Sequence, residues 1–245
     1  MVCPFKLALS AISAVVGFVA YKKMINGGSS RERKPYDGPL RICVYGSSSI
    51  KTPKKYLDAS ALLGKTIAEK KLICINGGGK TGVMGAVNTA VRAAGGKTLG
   101  VIHAMWINEE QSSELDDVIT TSGDGDDYGL HGRKEHLMRN SDALIAMPGG
   151  VGTFEELLEA MSMRQLNLEN FRSRIPVCVV NIDGYYDGII MQMNRAKADS
   201  LLSREIEEVV KVFTDPIEAL DYCLDFIEKA GEEISSKRIT TASKL

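Results

Sequence analysis

Histidine, tryptophan and proline are scarce in this chain of 245 residues, at three, one and seven. Two of the histidines, His131 and His136, stand five apart, which does not place them on one helical face. No protein-built zinc or di-iron site is expected from so few ligands. Cysteine is odd in number at five, and no pair has C-x-x-C spacing, which argues against a disulfide framework. Cys43, Cys74 and Cys178 lie inside apolar runs, where the thiol serves as a small buried hydrophobe. Neither sign of charge is in excess: the formal net charge of −1 argues against wholesale binding to a nucleic-acid polymer. Few prolines beside 24 glycines favour an α/β fold with glycine turns over an all-β sandwich. With 44% hydrophobic residues the chain can build a sizeable core, which excludes disorder for most of its length.

The near-neutral total hides an asymmetry. Residues 1–40 carry a net charge of +4 and the remainder −5. Within that basic leader, Leu7–Tyr21 is an uncharged, mostly apolar run of 15 residues, bracketed by Lys6 and by Lys22 and Lys23. It falls short of the roughly 20 residues that span a bilayer comfortably. The pattern predicts a cytosolic globule tethered to an intracellular membrane through residues 5–25, because the heavier basic flank lies downstream. A targeting signal and a partly buried N-terminal helix are the competing readings. The expected division is a hydrophobic leader with polar linker over 1–39, a ligand-binding domain over 40–230 and a polar tail over 231–245.

From Leu40 onward short apolar runs alternate with longer amphipathic ones. Strands are expected at 41–45, 72–75, 98–102, 118–121, 143–147, 177–181 and 209–213. Helices are expected at 54–70, 83–94, 134–140, 154–168, 186–198 and 216–229. Continuous β-branched runs suit parallel strands covered on both faces, and the alternation predicts an α/β fold. Its form is a doubly wound parallel sheet of about seven strands with helices on both faces. Such sheets bind ligands beyond the carboxyl ends of their strands.

Three glycine turns follow strands there. The first begins at Gly46, the second runs through Gly77, Gly78 and Gly79, and the third through Gly149, Gly150 and Gly152. Glycine permits close backbone approach, and a following helix offers free N–H groups to an anion. Gly79-Lys80-Thr81 fails as a phosphate-binding G-x-x-x-x-G-K-[ST] loop, because Cys74 stands where the first glycine belongs. Gly77, Gly79 and Gly82 satisfy G-x-G-x-x-G, but no acidic residue ends the next strand, so a dinucleotide cofactor is not expected. Thr153 and Glu156 fit a capping box, which leaves Glu156 two readings, a helix cap or a carboxylate beside a bound phosphate. Arg133 and Lys134 open the helix before the fifth strand and face the same crevice in this reading.

Pro148-Gly149-Gly150-Val151-Gly152-Thr153-Phe154-Glu155-Glu156 resembles the P-G-G-x-G-T-x-x-E signature of the Lonely Guy family, cytokinin riboside 5′-monophosphate phosphoribohydrolases. Gly77–Gly79 with Gly82–Gly85, His131–Lys134 and Asn181–Tyr186 resemble further segments of that family in order. The resemblance implies a Rossmann-like homodimer that needs no cofactor or metal. It would cleave a nucleoside 5′-monophosphate into free base and ribose 5-phosphate. It implies Arg133 and Glu156 as the catalytic pair, with Gly150, Val151, Gly152 and Thr153 on the phosphate and Lys134 assisting. Gly46, Gly78, Gly79, Glu110, Gly149, Glu155 and Ser162 complete the expected substrate-binding set. The chain departs from the family at His103, at Gly129 and Leu130, and by extra residues within Ser122–Tyr128, which leaves the base open between adenine, another purine and a prenylated adenine. A non-catalytic nucleotide or cofactor carrier of the same fold is the alternative.

Overall fold

Alternation along the strands decides which side chains meet which layer. In β1 (Arg41–Tyr45), Ile42 and Val44 enter one core while Cys43 and Tyr45 enter the other. The same division runs through β2 (Ile73–Asn76), β5 (Ala143–Ala146) and β6 (Val177–Val180), so both faces are covered. The computed structural model describes residues 38–107, 113, 115–122, 130–166 and 175–242. With β3 (Lys97–His103), β4 (Asp117–Thr121) and β7 (Lys211–Phe213), these strands form one wholly parallel sheet ordered β4-β3-β2-β1-β5-β6-β7.

On one face lie α1 (Lys54–Glu69), α2 (Gly82–Ala93) and α7 (Pro216–Ala242), contributing Leu63, Ile67, Val83, Val87, Leu220 and Cys223 to that core. On the other lie α3 (Leu130–Arg139), α4 (Val151–Leu166), α5 (Asp187–Ala198) and the short α6 (Ile206–Val209). The chain leaves β1 toward α1 and β2, and leaves β5 toward α4 and β6. The order therefore reverses between β1 and β5, and the turns after those two strands part to opposite faces. That divergence opens the crevice where doubly wound sheets bind ligands.

The structure departs from the sequence reading at four helices. Helix α4 begins at Val151 rather than Phe154, because the Phe154 N–H already reaches the Gly150 carbonyl at 3.0 Å. Helix α3 begins at Leu130, so Arg133 and Lys134 stand one turn inside it. Val209, expected in the last strand, closes α6 instead, and the Val210 N–H bonds back to Ile206 at 2.8 Å. Both valines are buried either way, which is why their apolar pattern resembled a strand. The segment read as a polar tail continues α7 to Ala242, and no proline interrupts it. The leader at 5–25 lies outside the described residues, and no helix among the described residues is long and apolar enough to cross a membrane.

Candidate active site

The glycine turn between β5 and α4 is built from glycines with different duties. A Cβ on Gly149 would meet Thr153 Oγ1 at 2.1 Å and the Ser47 nitrogen at 2.8 Å, so packing alone requires glycine there. Gly150 and Gly152 face open space, with nothing within 4 Å of an added Cβ. Protein packing therefore gives no reason for those two glycines, whereas close approach of a ligand does. The Val151, Gly152 and Thr153 N–H groups precede the first intrahelical bond of α4 and are the donors a helix start leaves over. Thr153 sits inside the helix rather than at its cap, so the capping-box reading of Glu156 fails. The turn is braced from the β6 side: the Tyr186 hydroxyl donates to the Met147 carbonyl at 2.8 Å, and the Tyr185 hydroxyl donates to the Gly149 carbonyl.

Glu156 turns instead toward α3. Arg133 Nη2 approaches Glu156 Oε1 at 3.3 Å, and both side chains are largely buried. The guanidinium is fixed on a second side by Nε, which donates to the Val101 carbonyl at 3.1 Å, and lies 5.7 Å from the ring centre of Trp106. Burial pushes the Glu156 carboxyl up to about 7, with Arg133 opposing the rise only in part. A carboxyl near 7 exchanges its proton around neutrality, as an acid–base catalyst requires.

Gly77 owes its identity to this pair. An added Cβ there would lie 2.5 Å from Arg133 Nη2, so the second glycine turn makes the seat for the guanidinium. Gly77→Ala is expected to fold, because the methyl meets the tip of a flexible side chain. The crystal structure of the variant is expected to show Arg133 no longer within hydrogen-bonding distance of Glu156.

The other expected contacts divide. Lys134 Nζ lies 2.6 Å from the exposed Glu155 and 3.0 Å from the Glu159 carboxylate, ion pairs that fasten α3 to α4. Burial works against the Lys134 charge, but those two carboxylates prevail and raise its pKa. The Lys134 ammonium, expected to assist at the phosphate, is engaged by these two carboxylates in the structure. The Gly78 N–H is taken by Asn76 Oδ1 at 2.8 Å, and side chains of Val83 and Met84 crowd the Cβ positions of Gly46 and Gly79. Packing thus accounts for those three glycines without a ligand. Ser162 is exposed on α4, about 16 Å along the helix from Val151, and is not brought to the pair. Glu110 lies outside the described residues. Sequence reasoning did not select Trp106 or Tyr185; the signal for Trp106 was the chain's single tryptophan standing just past the carboxyl end of β3.

Fold and site together define a protein of the doubly wound class, with a glycine-flanked helix start beside a buried arginine–glutamate pair. The chain belongs to the Lonely Guy family of cytokinin riboside 5′-monophosphate phosphoribohydrolases. Residues 84–223 match the family model described as possible lysine decarboxylase. A probable cytokinin riboside 5′-monophosphate phosphoribohydrolase of Oryza sativa subsp. japonica is 36% identical over 179 residues, 73% of this chain and 72% of that protein. A cytokinin riboside 5′-monophosphate phosphoribohydrolase of Arabidopsis thaliana is 35% identical over 200 residues, 81% of this chain and 87% of its own. Among solved structures, the molybdenum cofactor carrier protein of Chlamydomonas reinhardtii superposes with a TM-score of 0.56 at 23% identity, over 78% of this chain and 99% of its own. That likeness concerns the fold.

Proposed function

We propose that this protein hydrolyses the N-glycosidic bond of a purine nucleoside 5′-monophosphate, releasing the free base and ribose 5-phosphate. The observation that carries the reading is the buried Arg133–Glu156 pair, 3.3 Å apart, beside the helix start with its two open glycines. The 5′-phosphate rests on the N–H groups of Gly150, Val151, Gly152 and Thr153, away from the reacting carbon. Its binding energy then positions C1′. As the C1′–N bond lengthens, positive charge develops on the ribose, and the Glu156 carboxylate stabilises it. The same carboxylate takes a proton from the attacking water as its oxygen bonds to C1′. The base nitrogen leaves with the electron pair and takes a proton from solvent. Glu156 returns its own proton to solvent to restore the carboxylate, and Arg133 offsets the negative charge on the leaving side. Lys134, held by Glu155 and Glu159, keeps α3 against α4 so that the pair stays in register.

A carrier protein needs an anion seat but no carboxylate poised beside it, and Glu156 therefore favours the enzyme. The test is a comparison of substrates on the full chain. AMP and isopentenyladenosine 5′-monophosphate are expected to yield base, whereas the matching nucleosides react at least about 100-fold more slowly, because they lack the anchored phosphate. Equal rates with and without the phosphate would remove the helix start from the account.

Tyr185 gives a second, finer expectation. A trans peptide sets its C=O and N–H in opposite directions, so the hydroxyl that fixes the Gly149 carbonyl also fixes the aim of the Gly150 N–H. Tyr185→Phe is expected to raise KM for the monophosphate about 5-fold, the order of one hydrogen bond, with kcat nearly unchanged. Steady-state kinetics with monophosphate and nucleoside separate this from a general loss of structure, which would affect both.

A further inference from the structure

Beyond the pair, the carboxyl end of β3 carries an unusual corner. Its 3-10 turn, Ala104–Trp106, presents Met105 and Trp106 to the surface, 54% and 36% exposed. The indole touches the same guanidinium that pairs with Glu156, so it stands on the Arg133 side of the reacting centre. The His103 ring packs edge-on against it, 5.9 Å away at 70°. His103 Nδ1 accepts the Met105 N–H at 3.1 Å, which leaves the ring proton on Nε2. That Nε2 and the Oγ1 of Thr121, the register partner of His103 across β3 and β4, are buried without a hydrogen-bond partner among the described residues. Unpaired buried polar atoms are costly, and two of them in one corner beside an open aromatic ring call for a ligand with a flat face and a polar edge. A heteroaromatic base has both, whereas a sugar phosphate has polar groups but no flat face.

We propose that Trp106 is the surface against which the substrate's base lies, with the polar edge of the base toward His103 and Thr121. The assignment rests on the phosphoribohydrolase reading for the position of C1′, and adds the residue that reads the leaving group. Aromatic contact of this kind is sequence-tolerant toward bases but blind to a bare sugar phosphate.

Trp106 is the only tryptophan in the chain, so intrinsic emission reports on this one ring. Titration of the full-length Glu156→Gln protein with AMP is expected to change that emission saturably. Ribose 5-phosphate is expected to bind by calorimetry without changing it. In the otherwise unaltered protein, Trp106→Ala is expected to raise KM for AMP about 10-fold while ribose 5-phosphate affinity stays constant, and Trp106→Phe to recover most of the loss. AMP binding with silent emission, equal emission changes from both ligands, or equal weakening of both by Trp106→Ala would overturn the assignment. Base release by the unaltered protein is scored separately. Release with silent emission overturns the Trp106 assignment alone, and an emission change without release overturns the hydrolase reading alone.

Discussion

Glu156→Gln is expected to lower base release from a purine monophosphate by about 10³-fold or more while nucleotide binding persists, since a carboxamide neither takes a proton nor carries charge. The phosphate seat is backbone and is untouched by the exchange. The unaltered protein is expected to show kcat/KM rising through about pH 7 to a plateau, because both roles assigned to Glu156 need the carboxylate and burial has pushed its pKa up to about 7. The same shift has a consequence for stability. A carboxyl with its pKa raised on folding binds more protons folded than unfolded between about pH 4.5 and 7, so stability falls as pH rises across that window. Glu156→Gln removes the penalty. The variant is expected to be more stable than the parent by up to about 3 kcal/mol above pH 7, with the difference vanishing below about pH 4.5. Thermal unfolding at pH 5 and pH 8 reads the difference directly. A variant less stable at pH 8 would contradict the buried, strained carboxylate.

Arg133→Ala is the second large effect. It removes the cation that offsets charge on the leaving base, and base release is expected to fall by about 10²–10³-fold, the usual effect of deleting one such stabilising group. It also removes the larger of the two cationic influences that lower the Glu156 pKa, so the acidic limb of any residual activity is expected to move above pH 7. Breaking a buried ion pair ordinarily costs several kcal/mol. Here the cost is softened, because Glu156 can take a proton and become neutral. Arg133→Lys separates charge from shape: a lysine restores a cation but loses the fork that joins Val101 and Glu156 at once. The limb is expected to return toward pH 7 in Arg133→Lys with only partial recovery of rate.

The centre of the sheet was legible because β1, β2, β5 and β6 are covered on both faces, so each appears as a mostly apolar run. The turn after β5 was legible as a strand-to-helix connection because its glycines stand between an apolar run and an amphipathic one. What the sequence concealed was the partner of each polar side chain. Thr153 and Glu156 satisfy a capping spacing, yet the glycine pair lets the chain enter the helix three residues earlier, which releases Glu156 for Arg133, 23 positions away. Lys134 follows Arg133 and invited the same duty, but it is engaged by Glu155 and Glu159 instead. The three turns looked alike in composition. Only the packing distances separate Gly77, which makes room for a guanidinium, and Gly149, which makes room for Thr153, from Gly150 and Gly152, which face open space. Trp106 gave little signal in sequence because an isolated aromatic after a strand is ordinarily core.

The central claim is that the anion seat and the Arg133–Glu156 pair act on one substrate. Incubation of the full-length protein with AMP, followed by chromatographic measurement of both products, tests it most directly. Adenine and ribose 5-phosphate are expected in equal amounts, with neither formed by Glu156→Gln. Tight binding of AMP with no adenine released, from it or from isopentenyladenosine 5′-monophosphate, would contradict the account and leave a carrier.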